Sequence, residues 1–324
     1  MTVLVTGGTG FIGGRLVRAL LADGEEVRAL VRPGSDDRGL EAAGATIIRG
    51  GVADADAMLA AADGCEVVYS LAVSPRLGSA EVMRAVNQTG ARNAALAAQA
   101  SAARLVHAST VGVYGRLVAL PAGEDHPTRP ERPYQVTKLA GEHAIADVAG
   151  AGASVAIARI ASVYGPGSLR GVGGFRAALR PLTPMIGDGR HLVDWVYVDD
   201  IVAGLRSCGT RREPGLTVYN LGGGAPTPLR EVLATIAAAG GRRLRPLPLP
   251  RAPFAALEAA NRRILVRRGV DSYVQHRFMR LPRSQAFRIA RAADDLGYRP
   301  AVAFPEGASR TLAWYRDTGL IGRS

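Results

Sequence analysis

Short apolar runs alternate with Ala- and Leu-rich stretches as far as residue 225. The runs are "TVLVTG", "EEVRALVR", "ATIIRG", "CEVVYSLAV", "ARLVHAST", "SVAIARIASVYG" and "LVDWVYVDDI". The first stretch between them, "FIGGRLVRALLADG", repeats its apolar positions at the helical period. Strands that alternate with helices imply right-handed crossovers and a parallel sheet that is covered on both faces. The pattern therefore predicts an α/β fold built on a doubly wound parallel sheet.

The turn after the first predicted strand carries the glycine-rich segment "TGGTGFIG". Gly8, Gly10 and Gly13 match the dinucleotide fingerprint, and Gly7, Gly10 and Gly13 match a GxxGxxG spacing. Glycine at these points permits a tight turn and a close approach of the backbone to a pyrophosphate, whose charge the helix N-terminus favours. Because a strand precedes this segment and a helix follows it, the sequence predicts a dinucleotide-binding domain.

The alternating pattern loosens after residue 225, where "RPLPLPRAPF" marks a proline-rich turn. We expect a smaller, mostly helical C-terminal lobe there. Residues 1–165 plus about 190–223 are predicted to form the dinucleotide-binding domain, and about 166–189 and 224–324 the substrate-binding lobe. A chain of 324 residues is long enough for both.

The end of the second predicted strand indicates which cofactor binds. An acidic side chain there holds the ribose 2′-hydroxyl of NAD, whereas an arginine accommodates the 2′-phosphate of NADP. The sequence "LVRPGSDD" places Arg32 at the strand end, with Asp36 and Asp37 beyond the turn. NADP(H) is therefore favoured. NAD(H) stays possible, with one aspartate turning back to the ribose.

Composition excludes several classes of protein. Apolar residues make up 48% and charged residues 21%, which is typical of a globular protein. The sequence shows neither an apolar run of about 18 residues nor a basic leader, so we expect no membrane span, no secretory signal and a cytoplasmic location. Cys65 and Cys208 predict core thiols and no metal site.

The net charge of +12 is concentrated in one window. Residues 241–300 contain 14 arginines and four acidic residues, a net +10. Such a lobe can attract an anionic ligand, or it can simply solvate a surface. Aromatic residues are only 5% of the chain, and no module of alternating aromatic and basic residues is visible, so nucleic-acid binding is not expected.

The segment "RPYQVTKLAGEH" holds the only lysine among the 40 basic residues. Lys138 is four residues after Tyr134, so on a helix the two side chains face the same way. Lysine carries a compact charge, and its pKa can be shifted, whereas arginine is larger and stays charged. The pair therefore indicates a chemical role that an arginine could not fill.

These motifs resemble the extended short-chain dehydrogenase/reductase family over most of the chain. "TGGTGFIG" is similar to its nucleotide signature, "HASTVGVYG" to its active-site strand end, "YQVTK" to its YxxxK pair and "LVDWVYVDDIVAGL" to a later segment. The resemblance implies a Rossmann fold, a small-molecule substrate and a possible homodimer through helices of the Rossmann domain. It also implies that Tyr134 is the proton donor, that Lys138 binds the nicotinamide ribose and lowers the pKa of the phenol, and that Thr110 orients the substrate.

The resemblance also implies two wider sets of contacts. The cofactor would contact Gly7, Gly10, Phe11, Ile12, Gly13, Arg32, Gly51, Val52, Leu71, Ala72, Tyr134, Lys138, Ile160 and Val163. The substrate would contact Val73, Ser74, Thr110, Ser162 and Tyr164. Gly51 departs from the family pattern, since an aspartate usually contacts adenine there. Asn87 fits the helix before the active-site strand and is expected to pack or to play a further part.

Other departures from the family pattern reduce the number of reactions that the resemblance supports. Family dehydratases follow the threonine with an Asp-Glu pair, but Val111 and Gly112 stand here. Sugar-nucleotide epimerases commonly have an asparagine and an arginine where this chain has Ser162 and Val193. "IGDGRHLVDWVYVDD" instead resembles the 3β-hydroxysteroid dehydrogenase and ketone reductase branch.

The leading hypothesis is an NADP(H)-dependent oxidoreductase that acts on a ketone or secondary alcohol of a small, largely apolar molecule, which can also carry an anionic group. The alternatives are a sugar-nucleotide epimerase or ketoreductase with tightly held cofactor, and a non-catalytic dinucleotide sensor. The sensor reading predicts loss of the Tyr-Lys pair, which this chain retains.

Overall fold

The computed structural model describes residues 1–74, 79–150, 152–211, 213–268 and 283–322, and the side chains of residues 261–268 lie outside this description. Part of the predicted Arg-rich window, residues 269–282, therefore falls outside the described residues. So do residues 75–78 of the loop "AVSPRLGSAE".

The strands are named in chain order. They are β1 Thr2–Thr6, β2 Glu26–Val31, β3 Thr46–Arg49, β4 Val67–Ser70, β5 Arg104–Thr110, β6 Ser154–Ile160, β7 Ser162–Tyr164, β8 Thr183–Ile186, β9 Leu192–Val193, β10 Trp195–Tyr197, β11 Gly215–Leu221, β12 Thr227–Pro228 and β13 Pro246–Leu249.

The helices cover both faces of the sheet and build the C-terminal lobe. They are α1 Phe11–Ala22, α2 Arg38–Glu41, α3 Ala55–Ala62, α4 Ala80–Arg84, α5 Gly90–Ala100, α6 Pro133–Val148, α7 Val172–Ala178, α8 Val198–Thr210, α9 Leu229–Ala239, α10 Arg251–Arg268, α11 Ala290–Leu296 and α12 Phe304–Asp317. A π-helical turn, Ala85–Thr89, joins α4 to α5, and a 3₁₀ turn, Val111–Tyr114, follows β5.

Seven strands form one parallel sheet in the order β11-β6-β5-β4-β1-β2-β3. The predicted doubly wound fold is confirmed. The chain reverses its direction of progress across the sheet between β1 and β4, and ligands bind at such a point in open α/β sheets, outside the carboxyl ends of the strands.

Three apolar clusters hold the layers together. On one face of the sheet, Leu16 and Leu205 pack from α1 and α8. On the other face, Ala94 and Ile145 pack from α5 and α6. A third cluster around Phe175 joins the C-terminal lobe to β7 and β10. The free thiols of Cys65 and Cys208 are buried, as the sequence predicts.

The structure corrects two strand predictions. The run "LVDWVYVDDI" is divided into β9, β10 and the start of α8. Between β9 and β10, the Asp194 carboxylate accepts hydrogen bonds from the backbone N–H of Gly223 at 2.7 Å and of Phe287 at 3.3 Å, which fixes the chain in a bend. The run "SVAIARIASVYG" is likewise divided into β6 and β7.

The seventh strand, β11, lies in "GLTVYNL" and was not among the predicted runs. The described residues of the C-terminal lobe form five helices, α7 and α9–α12, and the lobe also takes part in short strand pairs, β8 with β13 and β9 with β12. The assignment of residues 1–165 with about 190–223, and of about 166–189 with 224–324, to separate domains stays a prediction. Among the described residues, no helix has the length and apolar character needed to cross a membrane.

Candidate active site

A cavity of about 1830 Å³ opens at the carboxyl ends of the central strands, against the C-terminal lobe. Every residue that the sequence singled out for the site lines this cavity. They are Gly7, Gly10, Phe11, Ile12, Gly13, Arg32, Gly51, Val52, Leu71, Ala72, Val73, Ser74, Thr110, Tyr134, Lys138, Ile160, Ser162, Val163 and Tyr164. The fold thus brings the set together, while the individual roles stay predictions.

The glycine-rich turn at one end of the cavity has no room for side chains. Gly7 has φ +73°, and a Cβ there would lie 2.7 Å from the backbone nitrogen of Ala72. A Cβ on Gly13 would lie 2.2 Å from the carbonyl oxygen of Gly7. Beneath the turn, Thr6 Oγ1 accepts hydrogen bonds from the N–H groups of Leu71 and Ala72 at 3.1 and 3.2 Å. The backbone is therefore bare and fixed before the N-terminus of α1, which fits a pyrophosphate.

Arg32 stands just beyond β2, where the adenosine end of a dinucleotide would lie. Both aspartates of this turn are paired with arginines: Asp36 with Arg38 at 2.8 Å and Asp37 with Arg49 at 2.6 Å. The hydrogen bond from Arg38 lowers the pKa of Asp36 to about 2. Within the part of the chain that the structure describes, Arg32 lines the cavity and makes no ion pair.

The start of α6 positions the predicted proton donor. Pro133 occupies the first turn, where its missing N–H removes no helical hydrogen bond, and Tyr134 follows, partly buried. Lys138 comes one turn later and is 2% exposed. Thr110 ends β5, where its Oγ1 accepts a hydrogen bond from the N–H of Gly112 at 3.1 Å. Tyr134, Lys138 and Thr110 therefore converge on one cavity from α6 and β5.

The ammonium of Lys138 lies against a histidine that the sequence analysis did not single out. Lys138 Nζ is 3.1 Å from His107 Nε2, and His107 Nδ1 is 3.2 Å from Ser70 Oγ. Burial lowers the pKa of Lys138 to about 8, although the negative charge of Glu142 raises it. Burial, and then the charge of Lys138, lower the pKa of His107 well below its usual value. The histidine is therefore neutral at neutral pH.

A second buried polar cluster holds α6 against the sheet. Glu142 accepts hydrogen bonds from Arg159 Nη2 at 2.7 Å and Nε at 3.2 Å, and also from the hydroxyl of Ser109. The Arg159 guanidinium lies 4.8 Å from the ring centroid of Tyr114, whose hydroxyl donates to Asn220 Oδ1 at 2.7 Å. These contacts link α6 to β5, β6 and β11, and so fix the helix that carries Tyr134 and Lys138.

Asn87, whose part the sequence left open, joins the loop after β4 to α6. Its Oδ1 accepts a hydrogen bond from the N–H of Ser74 at 3.2 Å, and its Nδ2 donates to Thr137 Oγ1 at 3.0 Å. Thr137 in turn donates to the carbonyl oxygen of Tyr134 at 3.1 Å. Asn87 therefore supports one wall of the cavity in addition to packing.

The end of the cavity predicted to take substrate is largely apolar. Val73, Val82 and Leu169 line it with 44%, 47% and 68% of their surfaces exposed. Trp195 and Trp314 line it as well. Neither was predicted from the sequence, because their approach to the cavity depends on how the C-terminal lobe packs against the sheet. Polar side chains at this end include Arg132, Arg170 and Gln285.

Two predicted substrate residues have little free surface. Tyr164 is 3% exposed and packs against Trp195, with ring centroids 5.6 Å apart. Ser74 is 1% exposed. Ser162 is the exposed member of the predicted set on β7.

A parallel sheet with a glycine-rich turn, a Tyr-Lys pair on one helix and a cavity that spans both defines a Rossmann-type oxidoreductase. The chain belongs to the NAD dependent epimerase/dehydratase family, whose profile matches residues 3–222. It is an NAD(P)-dependent enzyme of the extended short-chain dehydrogenase/reductase type, as the sequence motifs predict.

Comparison with known proteins gives relatives with two kinds of chemistry. A dTDP-glucose 4,6-dehydratase of Streptomyces griseus is 31% identical over 97% of this chain and 93% of that protein. The 4-hydroxy-2-methyl-3-oxo-4-farnesyl-3,4-dihydroquinoline-1-oxide ketoreductase of Stigmatella aurantiaca is 30% identical over 100% of this chain and 98% of that ketoreductase. The structure of MoeE5 in complex with UDP-glucose and NAD has a TM-score of 0.76 and 27% identity, and covers 98% of this chain and 99% of MoeE5.

Proposed function

We propose that this enzyme is an NADP(H)-dependent reductase of a ketone carried by a small, largely apolar molecule. The observation that carries the proposal is the exposed apolar surface of the cavity: Val73, Val82 and Leu169 stay exposed there, and Trp195 and Trp314 line the same cavity. Such surface gains free energy when an apolar ligand covers it. The similarity to a ketoreductase named for a farnesyl-bearing substrate supports the same class.

The residues present fit a nicotinamide dinucleotide. Gly7 and Gly13 leave the backbone bare for the pyrophosphate, and Arg32 would face the 2′-phosphate. When bound, the cofactor supplies the hydride that reduces the carbonyl.

The protein's own side chains would supply the proton and the orientation. Tyr134 donates a proton to the oxygen of the reduced carbonyl, and Thr110 donates a hydrogen bond that orients this oxygen. Lys138 favours the ionised phenol after the transfer, because a nearby positive charge stabilises tyrosinate. In the oxidation direction the tyrosinate accepts the proton of the alcohol.

Dehydration is disfavoured by the residues that follow Thr110. Elimination of water needs an acid and a base beside the reacting carbons, and Val111 and Gly112 have no ionisable side chain. The similarity to a dTDP-glucose dehydratase therefore supports the fold and the cofactor more strongly than the reaction.

A sugar-nucleotide epimerase is the second candidate, and the similarity to MoeE5 in complex with UDP-glucose favours it. An epimerase returns the hydride to its own substrate and holds its cofactor through many turnovers, whereas a reductase releases oxidised cofactor each time. Ser162 and Val193 stand where such epimerases commonly have an asparagine and an arginine, which supports the reductase.

The test compares the two reactions directly. Purified enzyme is mixed with NADPH and a panel of apolar ketones, and separately with UDP- and dTDP-sugars without added cofactor. We expect consumption of NADPH with at least one apolar ketone and little cofactor after denaturing extraction. Stoichiometric bound NAD, with turnover of a nucleotide sugar and no need for NADPH, would establish the epimerase instead.

A cytoplasmic location and a homodimer through the Rossmann helices stay predictions of the same proposal.

A further inference from the structure

The only lysine of the chain is buried against an imidazole. Lys138 Nζ lies 3.1 Å from His107 Nε2, and both residues are almost fully buried. The contact is between side chains on different elements, since His107 lies on β5 and Lys138 on α6. It therefore depends on the packing of α6 against the sheet.

The hydrogen-bond partners determine which nitrogen of His107 carries the proton. An ammonium can only donate, so Nε2 must accept from Lys138 and must be unprotonated. The proton of the neutral ring then sits on Nδ1 and donates to Ser70 Oγ at 3.2 Å. Ser70 is itself buried at the end of β4. Ser70, His107 and Lys138 thus form a directed chain of hydrogen bonds.

The other charged and titratable groups around this chain lie on α6 and β6. Glu142, one turn beyond Lys138, raises the pKa of the lysine, and it is paired with Arg159 of β6. Tyr134 precedes Lys138 by one turn on α6. On β4 and β5 the polar neighbours Ser70 and Ser109 are neutral. Among the described residues, the hydrogen-bond acceptor that contacts the ammonium is His107 Nε2, while Glu142 is engaged by Arg159 and Ser109.

We propose that His107 is a positioning residue for the reaction: its Nε2 accepts a hydrogen bond from Lys138, and so keeps this lysine charged and correctly placed inside the protein. The inference rests on the proposed function, because it assigns the lysine its part in proton transfer. Without an acceptor, a buried ammonium loses its compensation and favours the neutral amine.

Two amide substitutions distinguish the loss of the hydrogen-bond acceptor from the loss of the imidazole ring. In His107→Gln, the amide oxygen lies the same number of bonds from Cα as Nε2 and can accept from Lys138. In His107→Asn, the amide reaches only as far as Nδ1 and cannot. Both variants bury a neutral amide at the same place, so a purely structural effect would be similar in the two.

The measurement uses the fact that the chain has one lysine. In protein grown with lysine labelled with ¹³C at Cε, a single lysine signal reports the ionisation of Lys138 in a pH titration. We expect His107→Asn to lower the pKa of Lys138 by about one pH unit, the size expected for a lost hydrogen bond to a charged group. His107→Gln should restore most of the wild-type value. The alkaline limb of kcat/KM should move in the same direction in the Asn variant and return in the Gln variant.

Equal titration of Lys138 in wild type and both variants, or an equal shift in both variants, would overturn the proposal. Ser70→Ala is a third variant, and it tests the proposal even if the Asn variant fails to fold. Removal of the Nδ1 partner should release the ring to place its proton on Nε2, and should lower the pKa of Lys138 by a smaller amount. An unchanged titration in Ser70→Ala would count against the proposal. Because the titration needs neither cofactor nor substrate, it gives its answer even if no ketone is reduced.

Discussion

Tyr134 and Lys138 both line the cavity, but Tyr134 is partly buried, whereas Lys138 one helical turn later is 2% exposed. The two groups therefore have different surroundings, although they share one face of α6. A partly exposed phenol can meet a substrate, and a buried charge can act on that phenol without competing for the substrate. This division makes separate effects of their substitutions measurable.

Tyr134→Phe should remove the proton donor and leave the cavity almost unchanged. We expect NADPH to bind as in wild type and the rate of ketone reduction to fall by about 10²–10⁴, the usual contribution of general acid catalysis. Tyr219→Phe is the matched control, because its hydroxyl bonds Asp295 and its side chain does not line the cavity. Steady-state rates and cofactor titrations measure both effects. A Tyr134→Phe enzyme with wild-type turnover would remove Tyr134 from the mechanism.

Arg32→Asp should change the preference for cofactor. If Arg32 contacts the 2′-phosphate, its loss should weaken NADPH binding by about 1.5–3 kcal/mol, the value of a charge-assisted hydrogen bond. The introduced carboxylate should at the same time improve NADH binding. Arg38→Asp is a control at a neighbouring exposed arginine that pairs with Asp36. Wild-type enzyme that binds NADH more tightly than NADPH would exclude the NADP(H) proposal.

Residue patterns that are local in the sequence were predictable, and contacts between distant residues were not. The glycine-rich turn and the Tyr-Lys pair each lie within one short segment, so their spacing alone indicates them. His107, Glu142 and Arg159 come from three different elements. Their contact depends on the alignment of β5 with β6 and on the position of α6, which no spacing along the chain encodes.

At the scale of elements, α6 is positioned by a close crossing with the π-helical turn Ala85–Thr89. A Cβ on Gly141 would lie 2.2 Å from the carbonyl oxygen of Asn87. Real Cβ atoms do not approach a backbone oxygen so closely, so glycine permits this crossing. The same helix carries Tyr134 and Lys138, and a displacement of α6 would therefore move both.

Gly141→Ala should destabilise the protein and lower the catalytic rate together. Overpacking of this kind typically costs about 1–3 kcal/mol, and the helix must shift away from Asn87. Gly150→Ala is the matched control, since a Cβ there meets nothing within 4 Å. Chemical denaturation and initial rates would show the two effects. A Gly141→Ala enzyme as stable and active as the Gly150→Ala enzyme would contradict this account of the crossing.

Element types followed from hydrophobic pattern, but the ends of elements did not. The run "LVDWVYVDDI" is apolar enough for one strand, yet Asp194 bends it through hydrogen bonds to Gly223 and Phe287, which lie far along the chain. Strand β11 escaped prediction because "GLTVYNL" mixes apolar with polar residues and follows the polar segment "GTRREP".

At the scale of the whole molecule, the cavity lies between the sheet and the lobe, so its substrate end depends on their packing. Trp195 comes from β10, and Trp314 comes from α12. The fold class and the cofactor class were therefore predictable from motifs in the N-terminal part. The apolar character of the substrate end depends on the fold, because Trp195 and Trp314, which line the same cavity, are 119 positions apart in the sequence.

Burial of Lys138 has a consequence for the stability of the entire protein. Burial lowers the pKa of this lysine from the ordinary 10.5 to about 8. Between these pH values the unfolded chain binds a proton that the folded chain has released, so the stability of the wild type should rise with pH across this interval. Below about pH 8, the folded protein holds a buried ammonium that is less favourable than the same group in water.

Lys138→Met should therefore abolish catalysis and yet stabilise the fold at pH 7. The change in pKa corresponds to at most about 3.5 kcal/mol at about 1.4 kcal/mol for each pH unit, and the hydrogen bond lost by His107 reduces the gain, so we expect about 1–2 kcal/mol. At pH 10 the advantage should be much smaller, because the folded wild type then holds the neutral amine, whose burial carries no charge penalty. Arg245→Met, at an exposed arginine, is the control and should change stability little at either pH. Chemical denaturation of the three proteins at pH 7 and pH 10 measures the difference. A Met variant that is less stable than wild type at pH 7 would contradict a net destabilisation of the fold by the buried lysine.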